Sequence, residues 1–123
     1  MAKLLESGEN YLETILRLKK EKGEVRSIDI ANSLNYSKAS ISRAMGIMKR
    51  GGYITIDEKG FINFTKKGLE RAQSIYERHR IITEYLQTNL NISKETAEKD
   101  ACRIEHIISQ ETFDAIKNSL KEN

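Results

Sequence analysis

From Ser27 to Arg50 the chain reads SIDIANSLNYSKASISRAMGIMKR, two segments of helical periodicity separated by the pair Asn35-Tyr36. Ile28, Ile30, Ala31 and Leu34 give the first segment a face to bury, and Ile41, Ala44, Met45 and Met48 give the second another at three- and four-residue spacing. Ser37 is placed to cap the second segment through its hydroxyl, and two short helices joined by so tight a turn form a helix-turn-helix unit. This stretch constrains the chain most, because burying Ile41, Met45 and Met48 decides which residues stay outside. Ser37, Lys38, Ser40, Ser42 and Arg43 fall on the outward side, toward the end that enters a major groove in such units. The second segment, Ser37 to Arg50, therefore reads as a DNA recognition helix.

The flanking sequence supplies the rest of a fold. Tyr11, Leu12, Ile15, Leu16 and Leu18 predict a helix from about Ser7 to Lys22, which Gly23 stops. After Gly51-Gly52, the run YITIDEKGFINFT predicts a β-hairpin, with Tyr53, Ile54 and Ile56 facing Phe61, Ile62 and Phe64 across the turn Asp57-Glu58-Lys59-Gly60. A hairpin directly after a recognition helix is a wing, and Lys59 at its tip is placed to meet phosphate or a minor groove. Thr65 caps a long helix from about Lys66 to Asn89, with Leu69, Ala72, Ile75, Tyr76, Ile82, Tyr85 and Leu86 inward. Ser93 caps a further helix to about Ile108, and Ser109 a last one from Gln110 to Leu120. The fold class is mainly α with a small β-wing. A winged helix-turn-helix domain, residues 1–68, is followed by a helical domain, residues 69–123, and the long helix joins them.

Charge follows the same division. Residues 1–68 hold 13 Lys and Arg against 8 Asp and Glu, whereas residues 69–123 hold 8 against 10, which suits a nucleic-acid face in the first half. The longest apolar runs fall far short of the roughly 18 residues of a membrane span, and the opening MAKLLESGEN is too polar for a signal peptide. A single cysteine, Cys102, cannot form an internal disulfide and agrees with a reducing compartment. A cytoplasmic protein with no membrane partner is expected. The sequence has no Gly-rich phosphate loop, no nucleophile elbow and no general base beside a substrate pocket, so it does not read as an enzyme.

The run DACRIEH places Cys102, Glu105 and His106 at i, i+3 and i+4, which on a helix brings a thiolate, a carboxylate and an imidazole to one face. Together they can hold a divalent metal ion. His79 continues the Ala72, Ile75, Tyr76 face of the long helix; an inward histidine taken alone is more often a hydrogen-bonded core residue than a ligand. Glu9, Asn10 and Glu13 near the start of the first helix suit the positive end of its dipole, which is their plainest explanation.

The segments ENYLETI, SIDIANSLNYSKASISRAM, the wing, RHRIITEYL and DACRIEHIIS together resemble the diphtheria-toxin-repressor family of iron- and manganese-dependent transcriptional repressors, over nearly the whole chain. The resemblance implies a homodimer on double-stranded, palindromic operator DNA, with metal bound between the first helix and the later helices. It puts Cys102, Glu105 and His106 at the family's metal ligands, His79 at a ligand of its second metal position, and Glu13 at a ligand of the manganese branch. Ser37, Ala39, Ser40 and Arg43 fall on its DNA-contacting positions. The chain departs from the pattern at Asn10, where the iron branch has methionine and the manganese branch an acid, and at Thr83, where the iron branch has a carboxylate. A short form without the family's SH3-like domain is expected. Cys102 follows the iron branch, and a soft thiolate shifts preference toward Fe²⁺, with Mn²⁺ the alternative cofactor. The competing expectation is a winged-helix regulator that answers to a non-metal ligand, its Cys, Glu and His cluster merely structural.

Overall fold

The computed structural model describes residues 6–121, so the outer limits of the two expected domains, Met1 and Asn123, lie outside the described residues. Helices α1 (Glu6–Lys22), α2 (Ser27–Leu34) and α3 (Lys38–Arg50) precede strands β1 (Ile54–Ile56) and β2 (Ile62–Phe64). Helices α4 (Lys66–Leu90), α5 (Lys94–Ile104) and α6 (Gln110–Lys121) follow. This is a winged helix-turn-helix followed by a helical region. The chain divides into two compact units, one ending at Gln73 and one beginning at Ser74.

In the first unit, Leu12 and Ile15 of α1, Ile30 of α2, Ile41 and Met45 of α3, and Ile54 and Ile62 of the wing make one core. Local chemistry sets the bounds of its helices. Gly23, at φ 86°, ends α1 in a conformation that L side chains rarely adopt. Asp29 accepts the Arg26 backbone N–H at 2.8 Å, half of a capping box at the start of α2, and accepts Lys22 Nζ at 2.6 Å. Asn35 closes α2 with φ 58° and ψ 43°, the left-handed conformation that asparagine tolerates, and the next amide, Tyr36 N–H, reaches back to Ala31 O at 3.0 Å. Ser37 then caps α3 by accepting the Ser40 N–H at 3.1 Å.

The wing pairs Ile54 with Phe64, Thr55 with Asn63 and Ile56 with Ile62 in antiparallel register. Tyr53 and Phe61 lie outside these strands, so the hairpin is shorter than expected, and Phe61 turns elsewhere. It bridges Arg26 in the loop between α1 and α2, and the Ile62 N–H donates to Val25 O at 2.7 Å. The Arg26 guanidinium lies over the Phe61 ring, 4.4 Å from its centre. At the tip, the Asp57 carboxylate accepts the backbone N–H groups of Lys59 and Phe61, both at 2.9 Å.

Thr65 caps α4 by accepting the Gly68 N–H at 3.0 Å and donates its own proton to Gly52 O at 2.6 Å. A β-carbon at Gly68 would collide with the carbonyl oxygen of Tyr53. That close approach turns Gly68 and Ala72 to the core and leaves Leu69, expected inward, one step around the helix at 37% exposure. Tyr76 is exposed to the same extent, while Ile81, which periodicity did not single out, is buried.

In the second unit, Ile81 and Ile82 of α4, Ala101 of α5 and Phe113 of α6 make a separate core, flanked by Leu86, Ile104 and Ile108. Ser93 and Ser109 cap α5 and α6 as their sequence positions suggest, accepting the N–H groups of Thr96 and Thr112. However, α5 ends at Ile104, not near Ile108. The Glu105 carbonyl, which a continuing helix would give to the amide of Ser109, accepts the Arg78 side chain instead. Glu105 through Ile107 form a turn, and Ile108 packs into the core ahead of the Ser109 cap. No described helix is long and apolar enough to cross a membrane.

Candidate metal centre and nucleic-acid interface

Helix α3 buries Ile41, Met45 and Met48 to 3% exposure or less, which anchors one side and presents the other. Ser37, Lys38, Ala39, Ser40, Ser42 and Arg43 are all exposed, as is Lys59 at the wing tip. The first turn of α3 carries no acidic residue, and Lys49 and Arg50 add positive charge to its last turn. The Ser37 hydroxyl donates to the Ser40 hydroxyl at 2.9 Å, so both side chains are ordered before any ligand arrives. Exposed hydroxyls, two positive side chains near a helix start and a basic wing tip can donate to phosphates and to acceptors on base edges.

The second unit holds the titratable cluster. The Glu105 side chain is wholly buried, with Oε2 2.9 Å from Nδ1 of His79, whose own side chain is 27% exposed. Its other oxygen, Oε1, lies 3.3 Å from Nε2 of the buried His106 side chain. That approach lacks hydrogen-bond geometry, and Oε1 makes no hydrogen bond. A carboxylate oxygen taken out of water without a hydrogen bond is costly, commonly 1–3 kcal/mol or more by order of magnitude. A cation offsets that cost. Cys102, a half-buried thiol in no disulfide, sits in the last turn of α5, three residues before Glu105. The three residues of DACRIEH are thus presented by a helix end and its following turn, not by one uninterrupted helical face. Carboxylate, imidazole and thiol in this setting fit a divalent transition metal.

Two other expected ligands lie on α1, in the first unit. Asn10 and Glu13 are both half-buried, and the Asn10 carbonyl accepts the Thr14 hydroxyl at 2.8 Å. Thr83 gives its hydroxyl to the His79 carbonyl at 2.7 Å, which commits that proton to the backbone.

Sequence reasoning passed over Arg78. Nη1 donates to the Glu105 carbonyl at 3.2 Å and to the Ile108 carbonyl at 3.1 Å, and Nη2 donates to Gln110 Oε1 at 3.0 Å. A signal was present. Arg78 lies three residues after Ile75 and four before Ile82, both buried, so a guanidinium on that face needs acceptors inside the fold.

Comparison with known proteins follows the same division of the chain. Residues 3–61 match the family model of the iron dependent repressor N-terminal DNA binding domain. Residues 65–123 match that of the iron dependent repressor metal binding and dimerisation domain. Among solved structures, the manganese regulator SloR is 24% identical with a TM-score of 0.82, the match covering 94% of this chain and 54% of that one. IdeR of T. acidophilum is 25% identical with a TM-score of 0.81, covering 92% of this chain and 53% of that one. A hypothetical protein from Sulfolobus solfataricus is 24% identical with a TM-score of 0.74, covering 98% and 92%. The chain spans about half the length of the first two. No curated protein matches it.

Proposed function

Since the chain belongs to the iron-dependent repressor family, we propose that it is a cytoplasmic transcriptional repressor that binds palindromic operator DNA as a homodimer when loaded with Fe²⁺, Mn²⁺ being the alternative. The observation that carries the metal reading is the buried Glu105 carboxylate, with Oε2 on His79 and Oε1 without a hydrogen bond. The family consists of DNA-binding regulators, not enzymes.

In this reading Cys102, Glu105 and His106 hold the ion, with His79 beside Glu105 and with Glu13 and Asn10 as ligands from the first helix. When bound, the ion would supply fixed positive charge to the buried Glu105 carboxylate. Glu105 supplies the negative charge, and His79, through Nδ1, orients its carboxylate. Cys102 sets the preference: thiolate is softer than carboxylate, so Fe²⁺ is favoured over Mn²⁺ at equal availability. On the DNA side, Ser37, Ala39, Ser40, Ser42 and Arg43 meet base edges and nearby sugar-phosphate, while Lys38 and Lys59 neutralise phosphates.

Operator affinity measured against metal concentration tests the reading, with a duplex selected from a random pool and Fe²⁺ and Mn²⁺ run side by side without oxygen. Glu105→Ala is expected to abolish metal-stimulated binding and keep weak metal-free binding. Cys102→Glu is expected to move the response toward Mn²⁺. Three superimposable curves for wild type and both variants would overturn the metal-sensor reading.

A further inference from the structure

The geometry points to Arg78 as a positioning residue for the metal centre, one that fixes the backbone from which Glu105 and His106 project; this rests on the metal reading above. Both ligands lie past the end of α5, in a turn whose carbonyls have lost the amide partners of a helix. The amides of the turn still bond back into α5, Glu105 to Ala101, His106 to Arg103, and Ile107 and Ile108 to Ile104, but no backbone bond among the described residues ties its carbonyls forward. One guanidinium takes up two of them, those of Glu105 and Ile108. Its three donated bonds tie the Glu105 carbonyl, the Ile108 carbonyl and the Gln110 side chain to a single rigid plane. The same plane lies over the Phe113 ring, 5.3 Å from its centre, which fastens it to α6 as well.

The next residue along α4 acts on the same glutamate from the other side. His79 engages the Glu105 carboxylate while Arg78 engages the Glu105 carbonyl, so two consecutive residues of α4 set both ends of one ligand. The positive charge of Arg78 also sits at the C-terminal end of α5, where the helix dipole favours it. Arg78 itself is a donor without acceptor atoms and touches no ion. Its effect on metal is through the orientation of Glu105 and His106.

The test is Co²⁺ titration of the full chain, followed by calorimetry and by the visible absorption bands that report coordination geometry. Arg78→Gln is expected to weaken Co²⁺ binding about 10- to 100-fold, the usual range for groups that orient ligands, and to alter the visible bands. Arg78→Lys keeps the charge but loses the planar fork, so a smaller loss with the same spectral change is expected. Lys117→Ala is the control. It removes the 2.7 Å ion pair to Glu77 between the same two helices and leaves the turn alone; it should keep both affinity and spectrum.

Wild-type affinity and spectrum in Arg78→Gln would overturn the proposal. So would an equal loss in Lys117→Ala, which would mean that affinity merely follows stability. Should Arg78→Gln fail to fold, Arg78→Lys decides in the same way. If wild type gives no saturable Co²⁺ signal, the metal reading falls and takes this one with it, a result distinct from intact binding that ignores Arg78.

Discussion

Arg43 and Lys59 are both exposed cations of the first unit, and they are expected to fail differently when removed. An arginine in the second turn of a recognition helix can give two parallel hydrogen bonds to a guanine edge, discrimination worth about 1–3 kcal/mol. Arg43→Ala should therefore lower affinity for operator far more than for random duplex. Lys59→Ala, like Lys38→Ala, should weaken both alike and make the dependence on salt shallower, because a phosphate contact carries no sequence. Paired binding isotherms on both duplexes over a salt series decide this, and equal losses for Arg43→Ala would reassign it to the backbone. The spacing within DACRIEH was enough to bring Cys102, Glu105 and His106 forward, because ligand chemistry depends on residue type. The clamp at Arg78 was hidden by a different kind of fact: two of its three acceptors are backbone carbonyl oxygens, which every residue has and no sequence marks.

At the scale of elements, two sites test why the helices begin where they do. Gly68→Ala forces a β-carbon onto the Tyr53 carbonyl, and a clash with backbone has no flexible side chain to absorb it. A loss of about 1–3 kcal/mol, read as a lower thermal midpoint, is expected. At the start of α2, the Lys22 ammonium first and the Arg26 amide second hold the Asp29 carboxyl below its ordinary value of 3.8. A lowered folded value means stability that is present above about pH 4 and is lost as pH falls through the folded value. The thermal midpoint of wild type should accordingly drop more steeply on acidification below pH 4 than that of Asp29→Asn. Helix starts were legible because serine and threonine caps are written in side chains, as at Ser37, Thr65, Ser93 and Ser109. The end of α5 was not, since the apolar period continues through Ile104, Ile107 and Ile108 while the backbone leaves the helix at Glu105. The link from Val25 and Arg26 to Phe61 and Ile62 was equally invisible, being made between backbones 35 and 37 residues apart.

For the whole molecule, the proposed ligands come from both halves of the sequence, and in that reading metal loading and DNA binding are two faces of one equilibrium. Operator DNA should raise metal affinity by the same factor by which metal raises operator affinity. A full switch, from about 1% to 99% in the competent form, needs roughly 10⁴-fold preference, about 5.5 kcal/mol. Calorimetric metal titrations with and without operator should reproduce the ratio found in the DNA isotherms, and unequal factors would exclude this coupling. Light scattering at micromolar concentration should give twice the monomer mass; a monomer with and without metal would count against paired recognition helices. The cap on α3 bears on how such a repressor changes its target over generations. Residues 39, 42 and 43 are exposed and take no part in the cap, so their side chains are free to drift and to follow new base pairs, whereas the Ser40 hydroxyl is held by that of Ser37. Ser37 is not free, because only Ser, Thr, Asp, Asn or, at small cost, Gly keeps the helix start intact. Operators recognised by diverging descendants of this chain should thus wander at the positions under residues 39, 42 and 43 and hold steady under Ser37.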